Sequence, residues 1–334
     1  MLALSTAITV PPSDGFTINR ASPQARGLTH WWPLAKDIRD HASNFGTPIR
    51  QGNAMLGATS MGLGAVLPGA SGDRINVGNP PSAQGASYLT VAIWANTNTL
   101  TGGDFNLRYL IANEAINSGW MLRLATADKL LYWYVYSGGY RNATSTFQLE
   151  VNRWYHFACV YNAKEVAASQ LKLYIDGRLN AVGTSGGAAI ANSGQNIGIG
   201  ESPEYAGRTW SGWARDARIY NRALSDPEIY QLWAPATRYD LFSIPRLQTV
   251  GMSGIPGIDT TVHLTWTDNS EGEDGFSIER ADDGGGFVEI DTVVAGAETY
   301  DDTVDVGHTY TYRVRATSAA LGDSEYSNEA KVIV

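Results

Sequence analysis

Few side chains in this sequence have the types and spacing that catalysis requires. Residues 183–187 match the Gly-x-Ser-x-Gly pattern around Ser185, but a nucleophile elbow needs a strand before it and a helix after it. The sequence that follows, Ala-Ala-Ile-Ala-Asn-Ser-Gly, predicts a flexible loop instead. Glu201 and Glu204 form a close carboxylate pair, but glycine and proline neighbours predict two solvated loop charges there.

Metal and thiol chemistry also have little support. The five histidines show neither i,i+4 nor His-x-His spacing, which histidine metal sites commonly use. The one cysteine, Cys159, lies in the apolar run Phe-Ala-Cys-Val, so we expect a buried and unreactive thiol. A single cysteine also excludes an internal disulfide.

An aromatic strand is the most suggestive feature for binding. Residues 130–136 read Leu-Leu-Tyr-Trp-Tyr-Val-Tyr, so both faces of the predicted strand are apolar. One face must join the core, and the other is either covered by a second layer, such as a subunit interface, or exposed to stack on a sugar ring or a partner. Tyr140, Tyr205 and Trp210 lie in or near glycine-bearing loops that can flank such a surface.

Composition and charge narrow the class of protein. Of 334 residues only 17% are charged, whereas glycine, tryptophan and tyrosine number 36, 10 and 17, a balance typical of aromatic-packed β structure. Residues 1–250 hold 20 Lys and Arg against 16 Asp and Glu, but residues 251–334 hold 4 against 17. We therefore expect no nucleic-acid partner. No apolar run approaches the roughly 18 residues of a membrane span, so we expect no membrane insertion.

The order of strand and turn signals predicts two β domains. Short β-branched and aromatic runs separated by turn residues extend from Leu28 to about Trp213. One helix follows, with Ser225 as N-cap and Glu228 three residues later. The apolar start lacks the basic segment of a secretory signal, which favours an extended arm. We divide the chain into an N-terminal arm at 1–26, a first domain at 27–234, a linker at 235–257 and a second domain at 258–334.

The first domain resembles the laminin-G-like, concanavalin A-like jelly rolls in four ordered segments. Residues 27–34 resemble the opening strand of that family, residues 149–158 its Trp-containing strand, residues 171–178 its Asp-Gly hairpin, and residues 217–225 its closing Arg-Ile-Tyr-Asn-Arg-Ala-Leu-Ser motif. The resemblance implies an all-β jelly-roll sandwich. It leaves the function open, because this fold includes sugar binders, protein binders, glycosidases and spacers.

The same resemblance bears on catalysis, metal binding and the aromatic strand. The Glu-x-Asp-x-x-Glu motif of glycan-hydrolysing relatives is absent, so we predict no enzymatic activity. We expect no cofactor, although a structural Ca²⁺ near Asp40 and Asp216 stays open because relatives place one between early and late loops. Relatives point the register of Tyr132 and Tyr134 inward, which predicts an outward Trp133. The predicted ligand- or partner-binding residues are Trp133, Tyr140, Tyr205 and Trp210.

The last 80 or so residues resemble a bacterial fibronectin type III domain in residues 264–270, 275–280 and 310–316. The resemblance implies a second β-sandwich, in which Trp266 packs between the sheets and Tyr310 bonds back to the backbone. Residues 232–242 resemble a segment that often follows such jelly rolls in tailed-bacteriophage proteins.

Together these resemblances favour a non-catalytic structural or adhesion component of a bacteriophage virion, either capsid-decorating or tail-associated, located on the virion surface. Its partners would be other virion proteins bound through the arm, cell-surface glycans, and further copies of the chain in a homo-oligomer. The alternative is a bacterial surface or secreted carbohydrate-binding protein.

Overall fold

The structure is a computed structural model that describes residues 17–243, 246–253, 261–268, 270, 273–319 and 322–334. The chain divides into two compact units, Gly27–Arg238 and the combination of Met1–Arg26 with Tyr239–Val334. The first 16 residues of the predicted arm lie outside the described residues, as do residues 254–260 around the predicted end of the linker. Antiparallel sheets form both units, so the predicted all-β class is confirmed.

The described chain begins with strand β1 (Thr17–Ile18) and the 3₁₀ helix Pro23–Ala25. The strands of the unit Gly27–Arg238 are β2 (Leu28–Trp32), β3 (Ile49–Gln51), β4 (Met55–Thr59), β5 (Gly62–Leu67), β6 (Arg74–Asn76), β7 (Tyr88–Thr97), β8 (Leu107–Ala115), β9 (Ser118–Ala125), β10 (Leu130–Tyr136), β11 (Tyr140–Thr144), β12 (Trp154–Asn162), β13 (Leu171–Ile175), β14 (Arg178–Gly183), β15 (Gly198–Ile199) and β16 (Gly212–Tyr220). Its helices are the 3₁₀ helices Pro81–Ala83, Asp104–Asn106 and Ala167–Ser169 and the α-helix α1 (Asp226–Trp233).

Two sheets enclose the core of this unit. The seven-stranded sheet has the order β11-β10-β9-β8-β15-β6-β3, and the other has the order β14-β13-β12-β7-β16-β5-β4, with β2 also paired to β16. Apolar side chains from both sheets form one buried cluster, which includes Trp120, Trp133 and Phe157. This arrangement is the two-sheet jelly roll that the sequence motifs predict.

Two local predictions are confirmed in detail. Strands β13 and β14 pair across the Asp176-Gly177 turn, in which both residues have positive φ (51° and 72°). At Gly177 an added Cβ would also lie 2.9 Å from the Trp233 ring of α1, so the turn and the helix contact both require glycine. Helix α1 begins after Ser225, whose backbone N–H donates to the Glu228 carboxylate at 2.9 Å.

The predicted register of strand β10 is wrong. Leu131, Trp133 and Val135 are fully buried, and the alternate tyrosines are half-buried on the outer face. The Trp133 Nε1 donates to the Val160 carbonyl of the opposite sheet at 3.3 Å, so its one polar group is satisfied inside the core. A tyrosine carries a hydroxyl that favours a position near solvent, whereas leucine and valine have no polar atom to satisfy.

The unit Met1–Arg26 with Tyr239–Val334 contains β17 (Phe242–Ser243), β18 (Arg246–Ser253), β19 (Thr261–Thr267), β20 (Gly275–Asp282), β21 (Val288–Val294), β22 (Thr299–Thr303), β23 (Thr309–Thr317) and β24 (Ala330–Ile333). Strand β1 pairs with β17, a three-stranded sheet has the order β18-β19-β22, and a four-stranded sheet has the order β21-β20-β23-β24. The linker prediction is therefore wrong over β18, whose residues pair with β19. The glycines and prolines around this segment suggested a linker, but the segment forms a strand by pairing with the next strand along the chain.

The core of this second unit agrees with two predicted roles. Trp266 is buried and packs against Phe276, with ring centroids 5.7 Å apart. The Tyr310 hydroxyl donates to the Asp305 carbonyl at 3.2 Å and accepts from the Asp305 N–H at 3.1 Å. This hydroxyl thus bonds back to the preceding backbone, as predicted. Among the described residues, no helix has the length and apolar character needed to cross a membrane.

Candidate functional site

A concave site lies on the outer face of the seven-stranded sheet, where the tyrosines of β10 point away from the core. The site is a cleft of about 400 Å³, which we call the tyrosine cleft. Its lining residues come from four strands and a loop. They are Tyr109, Glu114, Met121, Arg123, Tyr134, Tyr140, Tyr205 and Arg208.

The strand register sets the positions of these side chains. Tyr134 pairs with Met121 of β9, which pairs with Ala112 of β8. In the adjacent row Arg123 stands between Tyr132 and Tyr109. Side chains at these alternating positions share one face of the sheet, so aromatic rings and a guanidinium lie side by side above a small alanine.

A glycine leaves room beside the acidic residue of the cleft. Gly119 is paired with Glu114 and has a φ of 81°. An added Cβ would lie 1.8 Å from the Asn113 carbonyl oxygen. Since this position tolerates no side chain, no residue of β9 covers Glu114 at that point in the register.

Two arginines stack on the aromatic rings of the cleft. The Arg123 guanidinium carbon lies 4.5 Å from the centroid of the Tyr134 ring, and that of Arg208 lies 4.4 Å from the centroid of the Tyr205 ring. Arg208 also donates from Nη1 to the Tyr109 hydroxyl at 2.8 Å. These contacts hold the rings in place and bring two positive charges to the cleft.

Glu114 is the carboxylate that lines the tyrosine cleft, and it is only 2% exposed. Burial raises the pKa of the Glu114 carboxyl to about 7. A hydrogen bond with Tyr109 and the positive charges of Arg208 and Arg123 lower this pKa, but the effect of burial is larger. Its Oε1 is buried and has no hydrogen-bond partner among the described residues. Glu114 therefore changes charge near neutral pH inside the cleft.

The lining of the cleft offers two kinds of contact to a ligand. Aromatic rings offer apolar faces, while the arginines and Glu114 offer hydrogen-bond donors and acceptors. Glycoside hydrolysis in most families uses two carboxyl groups on opposite sides of the bond, and among the described residues that line this cleft Glu114 is the one that carries a carboxyl group.

The structure separates the four predicted site residues into two pairs. Tyr140 and Tyr205 line the tyrosine cleft, and Tyr140 is 47% exposed. Trp133 and Trp210 are fully buried in the core and contribute nothing to this surface. Trp210 was predicted to bind a ligand because it lies near a glycine-bearing loop. Its Nε1 instead donates to the Asn96 carbonyl at 3.0 Å, so the polar group of the indole is satisfied and the whole ring packs in the core.

Sequence reasoning missed Glu114, Arg123 and Arg208. A signal was present for two of them, because Glu114 follows the apolar run at 110–112 and Arg123 interrupts Met-Leu-Arg-Leu at 121–124. A charged residue at an outward position of an otherwise apolar strand needs a local reason. Arg208 comes from a loop, and no sequence pattern placed it beside the sheet.

The prediction of a solvated Glu201 is wrong. Its side chain is fully buried, and Oε2 accepts hydrogen bonds from the Gly72 N–H at 3.0 Å and from Arg74 Nη1 at 2.8 Å. Oε1 accepts from the Gly207 N–H at 2.7 Å. Glu201 thus connects two loops through its hydrogen bonds. Glu204 is exposed, as predicted.

A serine, a histidine and an aspartate adopt the contact order of a hydrolase triad. His30 Nδ1 lies 2.6 Å from Asp40 Oδ2, and its Nε2 lies 2.6 Å from Ser82 Oγ. However, the N–H groups of Ala83 and Gln84 that follow the serine donate within their own turn, at 3.1 Å each. These two N–H groups are therefore already used and do not point to an oxyanion site. The contacts of His30 with Asp40 and Ser82 instead connect β2 to the helix Pro81–Ala83.

The two aspartates considered for Ca²⁺ are engaged by protein donors. Asp40 accepts from the Trp31 N–H at 3.0 Å, and Asp216 forms an ion pair with Arg218 at 2.7 Å. Within the described part of the chain, no group of three or more His, Cys, Asp or Glu residues is placed to hold a metal ion. Cys159 is buried as predicted, and burial raises the pKa of its thiol.

A family model matches most of the jelly roll. Residues 69–230 match the family model Laminin_G_3, described as the concanavalin A-like lectin/glucanases superfamily. A search of curated protein sequences gave no match.

Three solved structures share the fold at low sequence identity. Domain 4 of AbnA, a GH43 extracellular arabinanase from Geobacillus stearothermophilus in complex with arabinotriose, is 17% identical with a TM-score of 0.51, and the match covers 66% of this chain and 100% of that one. The binding domain of Paraclostridial Mosquitocidal Protein 1 is 13% identical with a TM-score of 0.53, and coverage is 91% and 92%. The botulinum neurotoxin serotype D ligand binding domain in complex with N-acetylneuraminic acid is 13% identical with a TM-score of 0.50, and coverage is 89% and 72%.

At identities this low, the similarity shows a shared fold alone and does not identify a ligand of this chain. Together with the sheet order and the match to the family model, the similarity shows that the unit Gly27–Arg238 has a concanavalin A-like jelly-roll fold.

Proposed function

We propose that this protein binds glycans without hydrolysing them and that the tyrosine cleft is the binding site. The observation that supports this most is the outward row of tyrosines on β10, which lies beside stacked arginines in a cleft of about 400 Å³. A sugar ring presents an apolar face to an aromatic ring and hydroxyls to the polar groups around it. Two of the structures that share the fold were solved with saccharides bound, arabinotriose and N-acetylneuraminic acid.

Tyr134 is the best residue to test, because its ring lines the cleft, stacks on Tyr132 with ring centroids 5.6 Å apart, and lies 4.5 Å from the Arg123 guanidinium carbon. We expect Tyr134→Ala to weaken binding by about ten-fold or more, since truncating a central aromatic residue removes much of the contact energy. The same change should cost less than about 1 kcal/mol of stability, because the side chain lies on the outer face. Calorimetric titration with arabinotriose, cellotriose and trigalacturonic acid measures the first effect, and thermal unfolding measures the second.

Tyr88→Ala provides a matched control. Tyr88 is 40% exposed and begins β7 in the opposite sheet. Its replacement should leave glycan affinity unchanged. Equal losses in both variants, or no loss in Tyr134→Ala for any glycan that binds, would refute the proposed site.

We further propose that the sandwich formed by residues 246–334 is a fibronectin type III domain that acts as a spacer. Its three-stranded and four-stranded sheets and the backbone-bonded Tyr310 support this. The domain is also the acidic part of the chain, which favours solubility over contact with anionic surfaces.

A virion location is the second proposal, and it rests on the resemblance of residues 232–242 to a segment of bacteriophage proteins. In this proposal residues 1–26 attach a homo-oligomer to other virion proteins, and the β domains are displayed outward. The alternative is a bacterial surface or secreted location, and in that case the protein would bind carbohydrate through the same tyrosine cleft.

Deletion of residues 1–26 tests the anchoring role of the arm. We expect the jelly roll to stay folded, because its unit begins at Gly27, while incorporation into particles is lost. Circular dichroism of the purified protein and its recovery in purified particles measure the two effects. Normal incorporation of the truncated chain would move the attachment site elsewhere.

A further inference from the structure

The two arginines of the tyrosine cleft keep most of their hydrogen-bond donors unused. Hydrogen bonds within the described residues use one N–H group of Arg208 and leave the buried Nε of Arg123 without a partner. Both guanidinium groups are instead stacked on tyrosine rings, at 4.5 Å for Arg123 and 4.4 Å for Arg208. Stacking fixes a guanidinium in place without neutralising its charge, so both groups are free to meet an anion.

We propose that the tyrosine cleft selects glycans that carry a carboxylate, with Arg123 and Arg208 binding the carboxylate while the tyrosines stack on the sugar ring. This inference rests on the proposed glycan-binding function and specifies its ligand class. A carboxylate accepts paired hydrogen bonds from a guanidinium, and such charge-assisted bonds are stronger than those a hydroxyl forms. While Glu114 is protonated, a neutral sugar would supply no counter-charge to these two positive charges.

Glu114 makes this selectivity depend on pH. The titratable and charged groups that act on it come from its own strand, from β9 and from the loop before β16, and they are Tyr109, Arg123, Glu204, Tyr205 and Arg208. The ionised Glu114 competes with a ligand carboxylate for the two arginines, whereas the protonated form does not. Since burial raises the pKa of Glu114 to about 7, the competing charge is mostly absent at pH 6 and mostly present at pH 8.

The expected size of the effect follows from proton linkage. If the acidic ligand binds mainly to the protonated form, its Kd should rise by about ten-fold between pH 6 and pH 8. Glu114→Gln keeps this position neutral at every pH. It should therefore bind acidic glycans at pH 8 as tightly as the native protein does at pH 6, with no further pH dependence.

Calorimetric titration with matched pairs of glycans tests the inference on the full chain. Trigalacturonic acid is paired with α-1,4-galactotriose, and sialyllactose with lactose. We expect the acidic member of at least one pair to bind about ten-fold or more tightly than its neutral partner, and Arg123→Gln to abolish that difference. Thermal unfolding of each variant shows whether it is folded.

The outcomes separate this inference from the proposed function. Tighter binding of an acidic member that weakens from pH 6 to pH 8 in the native protein, and not in Glu114→Gln, supports it. Equal affinity within each pair, or a flat pH profile, overturns it, and the proposed function still stands if Tyr134→Ala abolishes that binding. Failure of every glycan to bind overturns both.

Discussion

Replacing Trp133 with alanine should lower the free energy of unfolding by about 3–5 kcal/mol, because removing a buried tryptophan leaves a large cavity. Trp133 is fully buried, lies 6.0 Å from Trp120 between ring centroids, and donates to the Val160 carbonyl of the opposite sheet. The substitution also leaves that carbonyl without its indole donor. Urea or thermal unfolding of the purified chain measures the loss.

Tyr134→Ala, one residue along the same strand, is the control for this effect. Its ring lies on the outer face, so we expect a loss of less than about 1 kcal/mol. The two variants together report which face of β10 joins the core. If Trp133→Ala is benign and Tyr134→Ala unfolds the jelly roll, the register described above is inverted and the tyrosine cleft is not a surface site.

Asp216→Ala should destabilise the jelly roll by a similar amount, about 3–5 kcal/mol, because it leaves a buried charge without its partner. Arg218 is 1% exposed and forms an ion pair with Asp216 at 2.7 Å. Asp216 Oδ1 also accepts from Trp31 Nε1 at 2.8 Å. Removing the carboxylate therefore takes away the counter-charge of Arg218, which keeps its Nη2 bond to the Arg238 carbonyl at 3.1 Å, and it removes an acceptor of the Trp31 indole N–H.

The exposed ion pair of Arg153 and Glu150 provides the comparison. Their side chains are 49% and 70% exposed, so Glu150→Ala should cost less than about 1 kcal/mol. Equal, small losses for Asp216→Ala and Glu150→Ala would show that the Arg218 charge is not buried in solution.

The same ion pair predicts a pH dependence of stability. Burial by itself raises the pKa of Asp216, but the charge of Arg218 and the hydrogen bonds from Arg218 and Trp31 lower it below the ordinary value of 3.8. A carboxyl whose pKa is lowered in the folded state stabilises the fold above its unfolded pKa. That stabilisation is lost as the pH falls through the lower, folded value.

The sequence predicted the fold well where local chemistry determines it. The Asp176-Gly177 turn and the Ser225 cap of α1 depend on residues close in the chain, and both form as expected. Strand β18 was missed because its glycine- and proline-bearing surroundings are typical of a linker, whereas its backbone pairs with β19, the next strand along the chain. Strand propensity depends strongly on such pairing and packing, so composition alone does not reveal a strand of this kind.

The candidate site was predicted only in part for a related reason. Tyr140 and Tyr205 line the cleft, as aromatic residues near glycines suggested, whereas Trp133 and Trp210 lie in the core and not at the predicted surface. When both faces of a strand are apolar, the alternating pattern no longer identifies the inward face. The charges of the cleft depend on residues from separate strands and a loop, which only the folded register brings together.

The central claim, that glycan binds at the tyrosine cleft, is tested most directly by locating the bound ligand. The chain has 17 tyrosines, so incorporation of 3-fluorotyrosine followed by ¹⁹F NMR titration with the tightest-binding glycan reports on both sheets at once. The account predicts that the resonances of Tyr134, Tyr140 and Tyr205 shift while that of Tyr88 stays fixed. Shifts confined to tyrosines outside the cleft, under conditions where the glycan binds, would contradict it.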